Sequence, residues 1–172
     1  MTNLQRWMLC LAMPYLAAAA PPVKPDPGIP VVMQARPGTP LDAAARNLLA
    51  QDLRDSARSG ERPLVLTGTA KLGAASDRPA LFVQLQSPRE CGSAGCSTVV
   101  YAWSGGRYQR VLDGATGRMT VAATRHRGMA DLIADKEEYV WNGSGYVSSD
   151  PAPNIDLRPR RHPHPHRNRP SS

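Results

Sequence analysis

His126 stands between Arg125 and Arg127, five residues before Asp131. A histidine within reach of a carboxylate is the pairing from which hydrolases build a general base. His126 with Asp131 is therefore one candidate for catalysis. The same stretch, Arg125-His126-Arg127, also reads as a basic loop between two strands whose guanidinium donors suit an anionic group. No further catalytic pattern accompanies it. Gly92-Ser93-Ala94-Gly95 lacks the glycine spacing of a nucleophile elbow, and no glycine-rich phosphate loop leads to a lysine. Asp131, Asp135, Glu137 and Glu138 lack the spacing of an EF-hand and read as a solvated turn. No catalytic residue is assigned from these patterns, and no cofactor.

Two other residue sets have chemical types. Cys91 and Cys96 enclose Gly92-Ser93-Ala94-Gly95. Four intervening residues are too many for the usual redox pair, and a zinc site would need two more ligands where His126 is the one nearby histidine. The expectation is a structural disulfide. Near the C-terminus, His162, His164 and His166 alternate with proline among Arg158, Arg160, Arg161, Arg167 and Arg169. Alternating imidazoles suit weak binding of Cu²⁺, Ni²⁺ or Zn²⁺, while the arginines make a cationic arm.

The strongest pattern is a repeat. Tyr101-Ala102-Trp103-Ser104-Gly105-Gly106-Arg107-Tyr108 aligns with Tyr139-Val140-Trp141-Asn142-Gly143-Ser144-Gly145-Tyr146. Each reads as a β-hairpin with a two-residue turn, at Gly105-Gly106 and at Gly143-Ser144, where the chain needs φ values that glycine adopts freely. That register sets Trp103 opposite Tyr108 and Trp141 opposite Tyr146, as cross-strand aromatic pairs. Of the seven aromatic residues beyond position 20, six lie in these two units and Phe82 is the seventh. The pairs read as the core of an aromatic-poor domain, or as a stacking platform for sugar or peptide.

The elements that must position these groups follow from periodicity. Thr39 is placed to cap a helix that Pro40 opens, with Leu41, Ala45, Leu48, Leu49 and Leu53 at helical spacing. One helix over residues 40–59, ending at Gly60, is predicted. Short β segments follow at 64–70, 81–86, 98–103, 108–112, 119–123, 129–134, 139–142 and 146–148, separated by Gly, Pro and Asp. The predicted fold class is α+β: one N-terminal helix packed on an antiparallel meander of hairpins, with disordered termini.

Four segments result. Residues 1–19 read as a signal peptide, with Arg6, an apolar run from Trp7 and the small residues Ala17 to Ala20. Residues 20–38, rich in proline, read as an extended linker. Residues 39–148 form the domain, and 149–172 a disordered basic tail. The formal charge of +7 falls to +1 once Arg6 and the five tail arginines are set aside, so the folded part is nearly neutral. No apolar stretch long enough to span a membrane is present, and no nucleic-acid motif accompanies the tail.

Over residues 82–146 the chain resembles small exported bacterial proteins. The resemblance rests on the Cys91-Gly92…Gly95-Cys96 loop, on Gly128-Met129-Ala130-Asp131-Leu132 and on Trp141-Asn142-Gly143…Tyr146. It implies a periplasmic or secreted β-rich domain and carries no activity. The functional expectation is an exported, non-catalytic domain that binds an envelope polyanion or another exported protein, an inhibitor-like role included. Trp103, Tyr108, Arg125, His126, Arg127, Trp141 and Tyr146 are the candidate binding residues. Hydrolysis by His126 with Asp131, and metal binding by the tail histidines, are the alternatives.

Overall fold

A computed structural model of the chain describes residues 28–74 and 76–150. The signal peptide, the first part of the linker, and the tail with His162, His164 and His166 lie outside the described residues, as do the disordered termini expected there.

Among the described residues the chain forms two helices and ten strands. These are β1 (Ile29–Pro30), α1 (Pro40–Leu48), α2 (Ala50–Arg58), β2 (Leu64–Ala70), β3 (Ala80–Gln86), β4 (Cys91–Gly92), β5 (Gly95–Ser104), β6 (Arg107–Thr116), β7 (Met119–His126), β8 (Met129–Ala134), β9 (Glu137–Trp141) and β10 (Tyr146–Ser148). All pairings are antiparallel. One sheet runs β1-β7-β8-β9-β10; the other holds β2-β3-β5, with β6 and β4 both paired to β5. The protein is thus β-rich and built on two sheets, where one meander was expected.

The reason lies in β3. Leu81, Phe82 and Val83 are all wholly buried, and a strand with consecutive buried apolar residues is covered on both faces. Phe82 and Val100 face a core shared with Val121, Leu132 and Tyr139 of the other sheet. Leu81, Val83, Leu85 and Tyr101 point the opposite way, into a cluster with Ala45 and Leu49 of the helical segment.

Thr39 caps α1 as expected, its hydroxyl accepting the Asp42 N–H at 3.2 Å. The expected single helix is instead two, broken at Leu49 (φ −101°, ψ 19°). The break falls on a leucine buried among Val65, Leu81 and Tyr101, so packing sets the local backbone there and no Gly or Pro is needed.

Residues 28–34 correct the linker assignment. Ile29–Pro30 pairs with β7, and the Val31 N–H donates to Met119 O at 2.9 Å. Val31 is buried in the intersheet core. Gln34 then exchanges two backbone hydrogen bonds with Thr67 of β2, at 3.0 and 2.9 Å. The segment straps an edge of one sheet to an edge of the other. Gly68 makes room for it: a Cβ there would lie 2.8 Å from both Met33 Sδ and Val31 Cγ1.

Candidate functional site

The two repeated hairpins differ in their turns. In the first, Ser104 pairs with Arg107, and Gly105 and Gly106 both take positive φ (58° and 78°), as a two-residue type I′ turn requires. In the second, the strands end at Trp141 and Tyr146, and the Asn142 N–H donates to Gly145 O at 3.0 Å across the expected two-residue turn, Gly143-Ser144. Asn142 closes it with its side chain. Its Oδ1 accepts from the Ser144 N–H, the Ser144 hydroxyl and the Gly145 N–H at 2.9, 3.0 and 3.0 Å. An Asn at this place substitutes for a backbone carbonyl, and Gly143 supplies the φ of 114°.

Both expected aromatic pairs form. Trp103 meets Tyr108 edge-on at 5.0 Å between ring centroids, and Trp141 meets Tyr146 at 5.2 Å. The tyrosines differ in burial: Tyr146 is buried and its hydroxyl donates to Ala130 O at 2.6 Å, while Tyr108 is half-buried. Desolvation drives the Tyr146 phenol well above its ordinary range; the Asp131 charge adds to this and Arg125 opposes it.

The two tryptophans converge. Both are half-buried and line one cleft of about 380 Å³, together with Met129, Val111, Gln109 and Ser144. The residues lining it are uncharged. Arg78 stacks on Trp103, its guanidinium carbon 4.3 Å from the ring centroid. A guanidinium over an indole is a favourable cation–π arrangement. Arg78, Met129 and Gln109 belong to this site and were missed, because nothing in their sequence spacing links them to the tryptophans; only the paired sheets do.

The basic loop sits beside this cleft. Arg127-Gly128 is the β7–β8 turn, with His126 paired to Met129 and both turn residues at positive φ (48° and 83°). Arg127 reaches Gly143 on the cleft rim, where a Cβ would lie 3.1 Å from Nη1. Arg125 donates to Leu72 O at 3.1 Å.

His126 and Asp131 are in contact, Nδ1 to Oδ1 at 2.7 Å. A bulge makes this possible. From Val121 to Arg125 β7 advances four residues while β8 covers the two from Leu132 to Ala130. Bulges bend a strand and re-aim its side chains. Asp131 is wholly buried, and its Oδ2 has no hydrogen-bond partner among the described residues. The imidazole is 54% exposed. With Nδ1 carrying the proton, Asp131 accepts it and Nε2 is left as the ring's acceptor. This is the base-and-orienter half of a triad, and no nucleophile is placed by the hydrogen bonds around it.

Cys91 and Cys96 are cross-strand partners in the β4–β5 hairpin and form the expected disulfide. Trp103 lies seven residues further along β5, roughly 23 Å for an extended strand. The staple is therefore remote from the cleft. A second cleft, of about 250 Å³, lies on the helical side, where Asp52, Glu90 and Asp113 surround Arg110; Arg110 is paired with Asp113 at 2.9 Å. No group of three or more His, Cys, Asp or Glu among the described residues is arranged to hold a metal ion. Among the described residues no helix is long and apolar enough to cross a membrane.

No family model, curated protein or solved structure matches the chain.

Proposed function

We propose that this chain is an exported, non-catalytic binding domain, acting in the periplasm or outside the cell, that seats part of an envelope polymer or exported protein between its two aromatic hairpins. The convergence of Trp103 and Trp141 on one cleft carries the reading. Two copies of one motif, 38 residues apart, present their indoles to the same space. Large, half-buried aromatic surface with a few polar neighbours is the usual make-up of a ligand site. Export is supported by the pattern of residues 1–19 and by the disulfide, which persists in oxidising compartments. The cationic tail adds an electrostatic contribution toward polyanions.

The test is retention of envelope polymers on immobilised mature protein. Retention should survive removal of residues 151–172 and be lost in Trp103→Ala and Trp141→Ala. Loss on tail removal alone would overturn the cleft as the site.

A second reading, hydrolysis with His126 as base and Asp131 as its orienting carboxylate, is favoured by their 2.7 Å contact. It requires that Asp131→Asn abolish a hydrolytic activity while leaving the fold intact. Metal binding by the tail histidines is tested by Cu²⁺ titration of intact and truncated chains; equal affinity removes it.

A further inference from the structure

The cleft between the hairpins is uncharged inside and cationic at its ends. Arg78 lies over Trp103 and also lines a narrow extension of the cleft beside Leu72 and Met129. Arg127 lies against Gly143 at the other hairpin. Among the described residues neither guanidinium makes an ion pair, whereas Arg46, Arg58 and Arg110 each meet a carboxylate at 2.9 Å. Asp77, next to Arg78 in the chain, lines neither the cleft nor its extension. Arg127 also holds a left-handed backbone conformation, φ 48°, that Asn or Gly adopts more cheaply. An arginine kept there in spite of the backbone, unneutralised and beside an aromatic cleft, is placed to meet an anion.

Resting on the reading of the cleft as a binding site, we infer that its ligand is an anionic saccharide. The sugar ring lies against Trp103 and Trp141, hydroxyls meet Ser104, Gln109 and Ser144, and a carboxylate, sulfate or phosphate substituent meets Arg127 or Arg78. Guanidinium matches such groups with paired donors. A peptide added as a strand is the competing occupant that the comparison polyanions test, because β5 is paired with β3 only as far as Tyr101 and β9 with β8 only as far as Tyr139.

The experiment is a titration of the mature protein, followed by tryptophan emission, with uronate, sulfated and phosphorylated oligosaccharides and their neutral counterparts. Polyglutamate and oligodeoxythymidylate are the comparison polyanions. An acidic oligosaccharide should bind and shift the emission, with its neutral counterpart at least tenfold weaker. Arg127→Gln and Arg78→Gln should each lower affinity roughly tenfold, the scale of one charge-assisted hydrogen bond, with cooperative urea unfolding retained in both. Equal binding of acidic and neutral sugars would overturn the anionic assignment and leave the cleft standing as a site. Binding of no saccharide, or of polyglutamate or oligodeoxythymidylate in its place, would overturn the ligand class. Undiminished affinity in both Trp103→Ala and Trp141→Ala would overturn the cleft itself.

Discussion

The half-exposed ring of His126 is held by the wholly buried carboxylate of Asp131 across 2.7 Å. Removing the ring leaves that carboxylate with neither oxygen bonded, since Oδ2 already lacks a partner among the described residues. His126→Ala should therefore lose about 1–3 kcal/mol, the usual penalty for stranding a buried acceptor. Part should return in the double variant His126→Ala/Asp131→Asn, because a neutral amide is cheaper to leave unpaired than a carboxylate. Urea midpoints of the three proteins check this. No recovery in the double variant would mean that the pair contributes only through packing.

Arg127 sets stability against binding. Its backbone is left-handed, a conformation that strains a non-glycine residue by about 1–2 kcal/mol. Arg127→Gly should raise the thermal midpoint and weaken the acidic ligand together. Opposed movements of this kind are the signature of a residue retained for function. Gly143→Ala should be destabilising, because φ there is 114° and the new Cβ would lie 3.1 Å from Arg127 Nη1.

Alkaline pH should unfold the protein through its buried phenols. Burial, reinforced by Glu137, pushes the Tyr139 phenol up to about 12, and burial raises Tyr146 as well. Both hold their protons more tightly folded than unfolded. Their contribution is complete below pH 10, the ordinary phenol value, and is lost as the pH rises from there, through about 12 for Tyr139 and higher still for Tyr146. Tyr139→Phe should flatten this decline in denaturation curves taken between pH 9 and 12. Tyr146→Phe should flatten it too, but from a lower starting stability, because its buried bond to Ala130 O is lost.

Replacing Cys91 and Cys96 by serine should lower stability by about 2 kcal/mol, the loop entropy of so short a ring. The tryptophan emission should stay unchanged, because the disulfide sits at the other end of β5 from Trp103.

The hairpin registers, the helix cap and the disulfide partners were legible from local residue patterns. Trp103 opposite Tyr108, Trp141 opposite Tyr146 and the positive φ at Gly105 and Gly106 follow from short-range turn chemistry. The second sheet was not seen, although the consecutive apolar residues Leu81-Phe82-Val83 carried the signal that both faces of β3 are covered. Residues 28–34 were hidden by proline content, because a proline tolerated at a sheet edge looks like one in a linker. The cleft was half legible. Its tryptophans stood out by repetition, whereas Arg78 and Met129 arrive through long-range pairing that no local spacing encodes. The contact of His126 with Asp131 depends on the bulge in β7, where three residues, Ala122-Ala123-Thr124, stand against the single Asp131 of β8 and carry no bulge marker such as glycine.

The strap over residues 28–34 has a consequence for self-association. Val31 turns its N–H inward to Met119 O, so by the alternation of a strand the nitrogen of Pro30 faces outward. A proline nitrogen carries no hydrogen. The outermost backbone of that sheet therefore offers a neighbouring copy no donor at the position where a growing ladder would next need one. Ile29 and Val32 are exposed at 73% and 61%, apolar enough to invite contact, and the imino acid between them removes one of the hydrogen bonds on which an added strand would build.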